Sequence, residues 1–146
     1  MPMFFTEWMH FVGMLLIGSA TTAQIFVLKT PPSRDGVRAL VRGVIIYSIG
    51  VLVVIGTGVS RSFRGDPGIE GYLHNGLFIA ALVLFAAMLL WSVRPIRRAL
   101  AFRTTFKAGG GLPDPAVWKR TARILKVQLM PLTVIVLLKV LMVNGY

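Results

Sequence analysis

Four long runs of apolar residues limit what this chain can fold into. They cover residues 9–28, 43–60, 72–93 and 127–143. Because an α-helix rises about 1.5 Å per residue, roughly 20 apolar residues cross the roughly 30 Å of hydrocarbon in a bilayer. The mean hydropathy of +0.75 and the charged fraction of 14% also differ from those of water-soluble domains. We therefore predict an all-α integral membrane protein with four transmembrane helices, forming a single domain over residues 1–146.

The charged residues are distributed unevenly between the connections. Residues 29–42 hold four basic residues and one acid, residues 94–126 hold nine and one, and residues 61–70 hold two of each. Because basic connections stay in the cytoplasm, both termini are predicted to lie outside, in the periplasm of a bacterial inner membrane. The basic connections are then expected to meet anionic lipid head groups at the cytoplasmic face. Since topology accounts for the charge, no nucleic-acid partner is expected.

The connections predict how the four spans are joined. Their shortness and the alternating direction of the spans favour an antiparallel up-down bundle. The stretch "KTPPSRDG" is expected to break the chain after the first span, and "SRSFRGDPGIEG" to form a turn-rich loop. Asp114 and Pro115 are predicted to be the N-cap and first residue of a new helix. Glycine and alanine on the spans allow close packing, which suits a homo-oligomer or a larger membrane complex.

The chain has two histidines, His10 near the start of the first span and His74 near the start of the third. These spans run in the same direction, so both rings are expected at a similar depth below the outer surface. Neighbouring helices about 8–10 Å apart place diagonal helices roughly 11–14 Å apart. Because a histidine nitrogen binds a metal at about 2 Å, this gap leaves room for a haem iron. We predict a haem site with His10 and His74 as metal ligands; the alternative is that each is an interfacial polar residue hydrogen-bonded to backbone or water.

Two further features bear on this predicted site. Lys139 lies near the end of the fourth span, at the same outer level, and there it either extends to the surface or pairs with a haem propionate or another anion. It therefore joins the two histidines as a candidate cofactor-binding residue. The side chains expected to face the bundle together with His10 recur every three or four positions. They are Gly13, Ile17, Thr21 and Gln24.

Two short motifs carry a family resemblance. The segments "EWMHFVGML" and "GYLHNGLF" resemble HemJ-type protoporphyrinogen oxidases, and also CopD-like and other small four-span bacterial membrane proteins. The resemblance implies haem b binding through His10 and His74 and an oxidoreductase activity on protoporphyrinogen. The chain departs from the HemJ-type pattern at Gly76, where that family usually has lysine, and at Lys29, where it has a second histidine.

Two other functions remain open from the sequence. One is a cofactor-free accessory or structural subunit of a larger membrane complex. The other is transport of a metal ion such as copper, with Met9, His10 and Met14 as ligands. The absence of cysteine excludes thiolate metal sites and cysteine nucleophiles. No catalytic residue is identified, because all five acidic residues lie at or outside the predicted membrane interfaces.

Overall fold

The structure, a computed structural model, describes residues 3–64 and 68–145. These residues form five helices and, within those ranges, no strand. The helices are α1 (Met3–Lys29), α2 (Arg34–Arg64), α3 (Gly68–Leu73), α4 (Gly76–Lys107) and α5 (Pro115–Val143). All except the short α3 are long and apolar enough to cross a membrane. The predicted all-α fold with four spans is confirmed.

The second span is longer than the sequence predicted at both ends. It begins at Arg34, inside the expected break, because Ser33 caps it: the Ser33 hydroxyl accepts the Gly36 amide at 2.9 Å. At its other end α2 continues to Arg64, and α3 begins at Gly68. Most of the predicted turn-rich loop is therefore helical. Its Asp66 and Pro67 lie outside the described residues.

The connection between α4 and α5 agrees with prediction. Helix α4 extends to Lys107 and is followed by Gly109, whose φ of +78° lies in the left-handed region that favours glycine. Helix α5 begins at Pro115, and the Asp114 carboxylate accepts the Ala116 amide at 2.8 Å. Asp114 is thus the N-cap, as its position before a proline indicated.

The four long helices form a closed ring in which α1 packs on α2, α2 on α4, α4 on α5 and α5 on α1. Among the described residues the backbones of α1 and α4 do not come close to each other, so these helices are diagonal, as in a simple up-down bundle. Gln24 of α1 bonds to Leu40 of α2, and His10 of α1 bonds to Thr57 of α2. The earlier residue of α1 thus pairs with the later residue of α2, so the two helices are antiparallel. The α1 stripe predicted to face the bundle is buried, apart from the half-buried His10 at its start.

The bundle has two ends. At the termini end α1 begins, α5 ends and α3 lies; the basic end holds residues 30–33 and 108–114. At the basic end, Trp118 is 1% exposed, and its indole nitrogen donates to the Thr30 carbonyl at 2.8 Å. Its ring packs against Phe102 with the centroids 5.8 Å apart. Trp118 therefore joins α5 to the end of α1 and to α4.

Helices α1 and α2 approach most closely at two glycines. A methyl group added at Gly50 would lie 2.9 Å from the Gly13 carbonyl oxygen, and one added at Gly13 would lie 2.8 Å from the Val54 side chain. Small residues permit such contact between backbones in a bilayer, where no hydrophobic effect drives helices together. The Gly13–Gly50 contact therefore depends on the absence of side chains at both positions.

We predict that Gly50→Ala destabilises the protein relative to Gly56→Ala. Both substitutions add the same methyl group to α2, but a methyl group at Gly56 meets nothing within 4 Å. Both variants gain the same helix propensity, so the difference between their free energies of unfolding measures the cost of overpacking, which is typically about 1–3 kcal/mol. Reversible unfolding in detergent measures it. Equal stability of the two variants would show that α1 and α2 do not approach closely at Gly50.

Candidate functional site

A cavity of about 510 Å³ opens at the termini end of the bundle. Its walls are almost entirely aliphatic and aromatic; α3 contributes Ile69 and Leu73, and α4 contributes Phe78 and Phe85. Sites for small molecules and cofactors typically measure roughly 300–1,000 Å³ and are mostly apolar. Val59 of α2 and Leu82 of α4 line the cavity, yet are 52% and 51% exposed. The cavity therefore opens sideways between α2 and α4, where lipid surrounds a membrane protein.

The ring of His10 lines this cavity and is held by α2. Its Nδ1 lies 2.9 Å from the Thr57 hydroxyl oxygen. That hydroxyl donates its single proton to the Val53 carbonyl at 2.6 Å, so its oxygen accepts and His10 Nδ1–H donates. The neutral ring then keeps its lone pair on Nε2. A histidine that binds a metal is usually held in this way, with its second ring nitrogen donating to a protein acceptor.

Two cations lie within electrostatic range of the His10 ring, Arg61 of α2 and Lys139 of α5. Glu7 lies within electrostatic range of Lys139. The Glu7 carboxylate is 3.3 Å from an Arg61 guanidinium nitrogen. Two cations thus face one carboxylate, which leaves a surplus of positive charge. Among the described residues, the buried Nε of Arg61 has no hydrogen-bond partner.

His74 occupies a different position from the one predicted. Helix α4 begins at Gly76 because Asn75 caps it, its side-chain oxygen accepting the Leu77 amide at 2.9 Å. The third apolar run was expected to begin at Tyr72, but the spanning helix begins four residues later, so His74 lies in the turn just before α4. His74 is exposed, and its Nδ1–H donates to the Glu70 carbonyl at 2.7 Å, which closes the last turn of α3.

Of the three predicted site residues, His10 and Lys139 lie within electrostatic range of each other, whereas His74 is not among the residues that line the described cavity. Phe78 and Ala81, which follow His74 on α4, line the cavity together with His10. Within residues 3–64 and 68–145, no three side chains of the metal-binding types His, Cys, Asp and Glu come together. Ligation of a metal by His74 stays a prediction.

Sequence reasoning missed the partner of His10. Thr57 is polar and lies within an apolar span, but only its position opposite His10 gives it a role. It could have been found from the short connection between α1 and α2. Residues 30–33 force an antiparallel hairpin, in which Thr57 is one of the few positions of α2 at the level of His10. Glu7 was likewise not connected with Arg61, although the same hairpin brings them together.

Comparison with known proteins shows the family. One family model matches residues 3–146, almost the whole chain. The chain belongs to DUF2214. This family is described as a predicted membrane protein, in agreement with the four spans. No curated protein and no solved structure matches the chain. The resemblance to HemJ-type oxidases therefore rests on the two short motifs alone.

The hydrogen bond that orients His10 in this DUF2214 protein is directly testable. We predict that Thr57→Val, which keeps the side-chain shape and removes the acceptor, abolishes the preference for the Nδ1–H tautomer. It should lower the free energy of unfolding by about 1 kcal/mol. Imidazole ¹⁵N shifts of histidine-labelled protein measure the tautomer. The chain has two histidines, and the bond from His74 to a backbone carbonyl makes that ring the internal reference.

An unchanged His10 tautomer in Thr57→Val would contradict the assignment of Thr57 as the acceptor. A change at both histidines would indicate that the substitution has disturbed the fold.

Proposed function

We propose that this DUF2214 protein is a haem-b-binding redox protein of the bacterial inner membrane, with the haem in the cavity and His10 as the iron ligand. One observation carries the proposal. The His10 ring, whose Nδ1–H is engaged by Thr57, lines an apolar cavity of about 510 Å³ with its Nε2 lone pair available. Haem iron is commonly held by one such histidine, and bound haem supplies one-electron chemistry.

The residues around the cavity fit this group in two further respects. The apolar walls from α2 and α4 suit the face of a macrocycle, and the sideways opening admits an apolar molecule from the bilayer. Arg61 and Lys139 supply the positive charge that haem propionates require. His10 is the single histidine that lines the described cavity, so His10 would hold the iron and the proposal does not use His74.

The proposal predicts a coloured protein. Material purified in mild detergent from haem-replete cells should show a Soret band that shifts on reduction with dithionite. His10→Ala should lower the haem-to-protein ratio by at least about tenfold, since removing even a group that orients a metal ligand costs 10–100-fold in affinity. His74→Ala is the matched control and should keep the spectrum, because that ring lies in the exposed turn before α4.

The propionate contacts are tested in the same preparations. Lys139→Met should weaken haem binding about tenfold, since a hydrogen bond to a charged group contributes roughly 1.5–3 kcal/mol. Lys119→Met, in the exposed part of the same helix at the basic end, should leave it unchanged. A colourless wild-type preparation would overturn the proposal and favour the cofactor-free subunit. Loss of the spectrum in His74→Ala, with His10→Ala unaffected, would contradict the assigned ligand.

We also propose that the termini end faces the periplasm and the basic end the cytoplasm. The uneven charge supports this orientation, because segments that adjoin the basic end carry most of the lysine and arginine residues. The basic end is then expected to contact anionic lipid head groups, whose attraction is about 1 kcal/mol per basic residue near the membrane surface. In this orientation the cavity and His10 lie in the periplasmic half of the membrane.

The orientation is tested by labelling single cysteines in a chain that has none of its own. Asn144→Cys at the termini end and Gly111→Cys at the basic end place the thiol at exposed positions. A membrane-impermeant maleimide should label Asn144→Cys in intact spheroplasts, and Gly111→Cys only after permeabilisation. The reverse pattern would overturn the orientation without affecting the haem proposal.

A further inference from the structure

A second, much smaller cavity lies deep in the bundle, toward the basic end, and five of the eleven residues that line it have uncharged polar side chains. Its volume is about 10 Å³. The polar side chains that line it are Gln24, Tyr47, Ser92, Thr121 and Gln128. Each is at most 6% exposed. Five polar side chains around one cavity in a membrane-spanning bundle require an explanation, because unpaired polar groups are costly there.

Most of these groups are paired. The Gln128 amide nitrogen donates to the Tyr47 hydroxyl at 2.9 Å, a bond that links the diagonal helices α2 and α5. The Ser92 hydroxyl donates to the Leu89 carbonyl at 2.6 Å, and the Thr121 hydroxyl donates to the Val117 carbonyl at 2.8 Å. Both hydroxyl protons are therefore used within the helices, and the Thr121 oxygen also accepts from the Arg98 guanidinium at 3.3 Å.

One group is not paired. Gln128 is 2% exposed, and its side-chain oxygen has no hydrogen-bond partner among the described residues. The side-chain oxygen of Gln128 is therefore the group that a small polar guest in this cavity would satisfy.

We propose that this polar cavity binds one water molecule, which donates to the side-chain oxygen of Gln128 and to a hydroxyl oxygen of Ser92 or Thr121. The volume matches one water, since a cavity needs about 10–15 Å³ for a single probe-sized molecule. The unpaired Gln128 oxygen suits a guest that can donate a hydrogen bond. Arg98, whose guanidinium lies 3.3 Å from the Thr121 hydroxyl, argues against a cation in the same place. This site is separate from the cavity of His10 and does not depend on haem.

The experiment detects bound water by NMR on protein labelled with ¹⁵N in the glutamine side chains. The chain has only two glutamines, Gln24 and Gln128. The side-chain amide signal that disappears in a Gln24→Met variant belongs to Gln24, and the other belongs to Gln128. We expect a cross-peak between a long-lived water and the Gln128 amide in the wild-type protein. Ala99→Val adds two methyl groups to the cavity wall and should remove that cross-peak while the Gln128–Tyr47 bond persists.

Two results would overturn the proposal. One is a wild-type spectrum with well-dispersed signals and no water cross-peak at Gln128. The other is a midpoint of unfolding that rises in Gln128→Leu, because removing a buried acceptor that lacks any partner is stabilising, whereas removing one bound to water is not. The wild-type measurement decides the question even where a variant fails to fold.

Discussion

The contact between the backbones of α1 and α2 at Gly13 and Gly50 sets the position of much else in this bundle. Within a bilayer, helices associate through close packing and polar contacts, so two backbones that meet without side chains between them determine the register of the pair. From that register, Gln24 packs against Gly43 and Leu40 toward the basic end. Toward the termini end, the same register places His10 beside Thr57.

The two ends of the ring are filled differently. At the basic end the large ring of Trp118 occupies the space between α1, α4 and α5, and midway along the bundle the Tyr47–Gln128 bond bridges the diagonal. At the termini end, α2 and α4 present small residues to the interior, which leave the large apolar cavity open. They are Gly58, Ser62, Ala81 and Ala86. This cavity lies at the same end of the bundle as the charged residues Glu7, Arg61 and Lys139.

The site around His10 was partly predictable from the sequence. Periodicity along α1 correctly identified the buried stripe, because helical spacing alone determines which residues share a face. The matched level of His10 and Lys139 was also predictable, since both lie near the termini end of apolar runs. The position of His74 was not. An apolar run beginning at Tyr72 predicts a span there, but the Asn75 cap and the bond from His74 to Glu70 end α3 first.

The sequence alone determined the fold class and the number of spans. The reason is that hydrocarbon forces every backbone amide and carbonyl to be paired within the chain, and an apolar run of sufficient length achieves this only as a helix. The N-cap Asp114 and the first helical residue Pro115 were also predictable from the sequence, because a helix start depends on neighbouring residues only. Only the tertiary structure decided that His10 meets Thr57 and that Gln128 meets Tyr47. These pairs depend on how each helix is rotated and how closely it approaches its neighbours, which is decided by packing between segments distant in sequence.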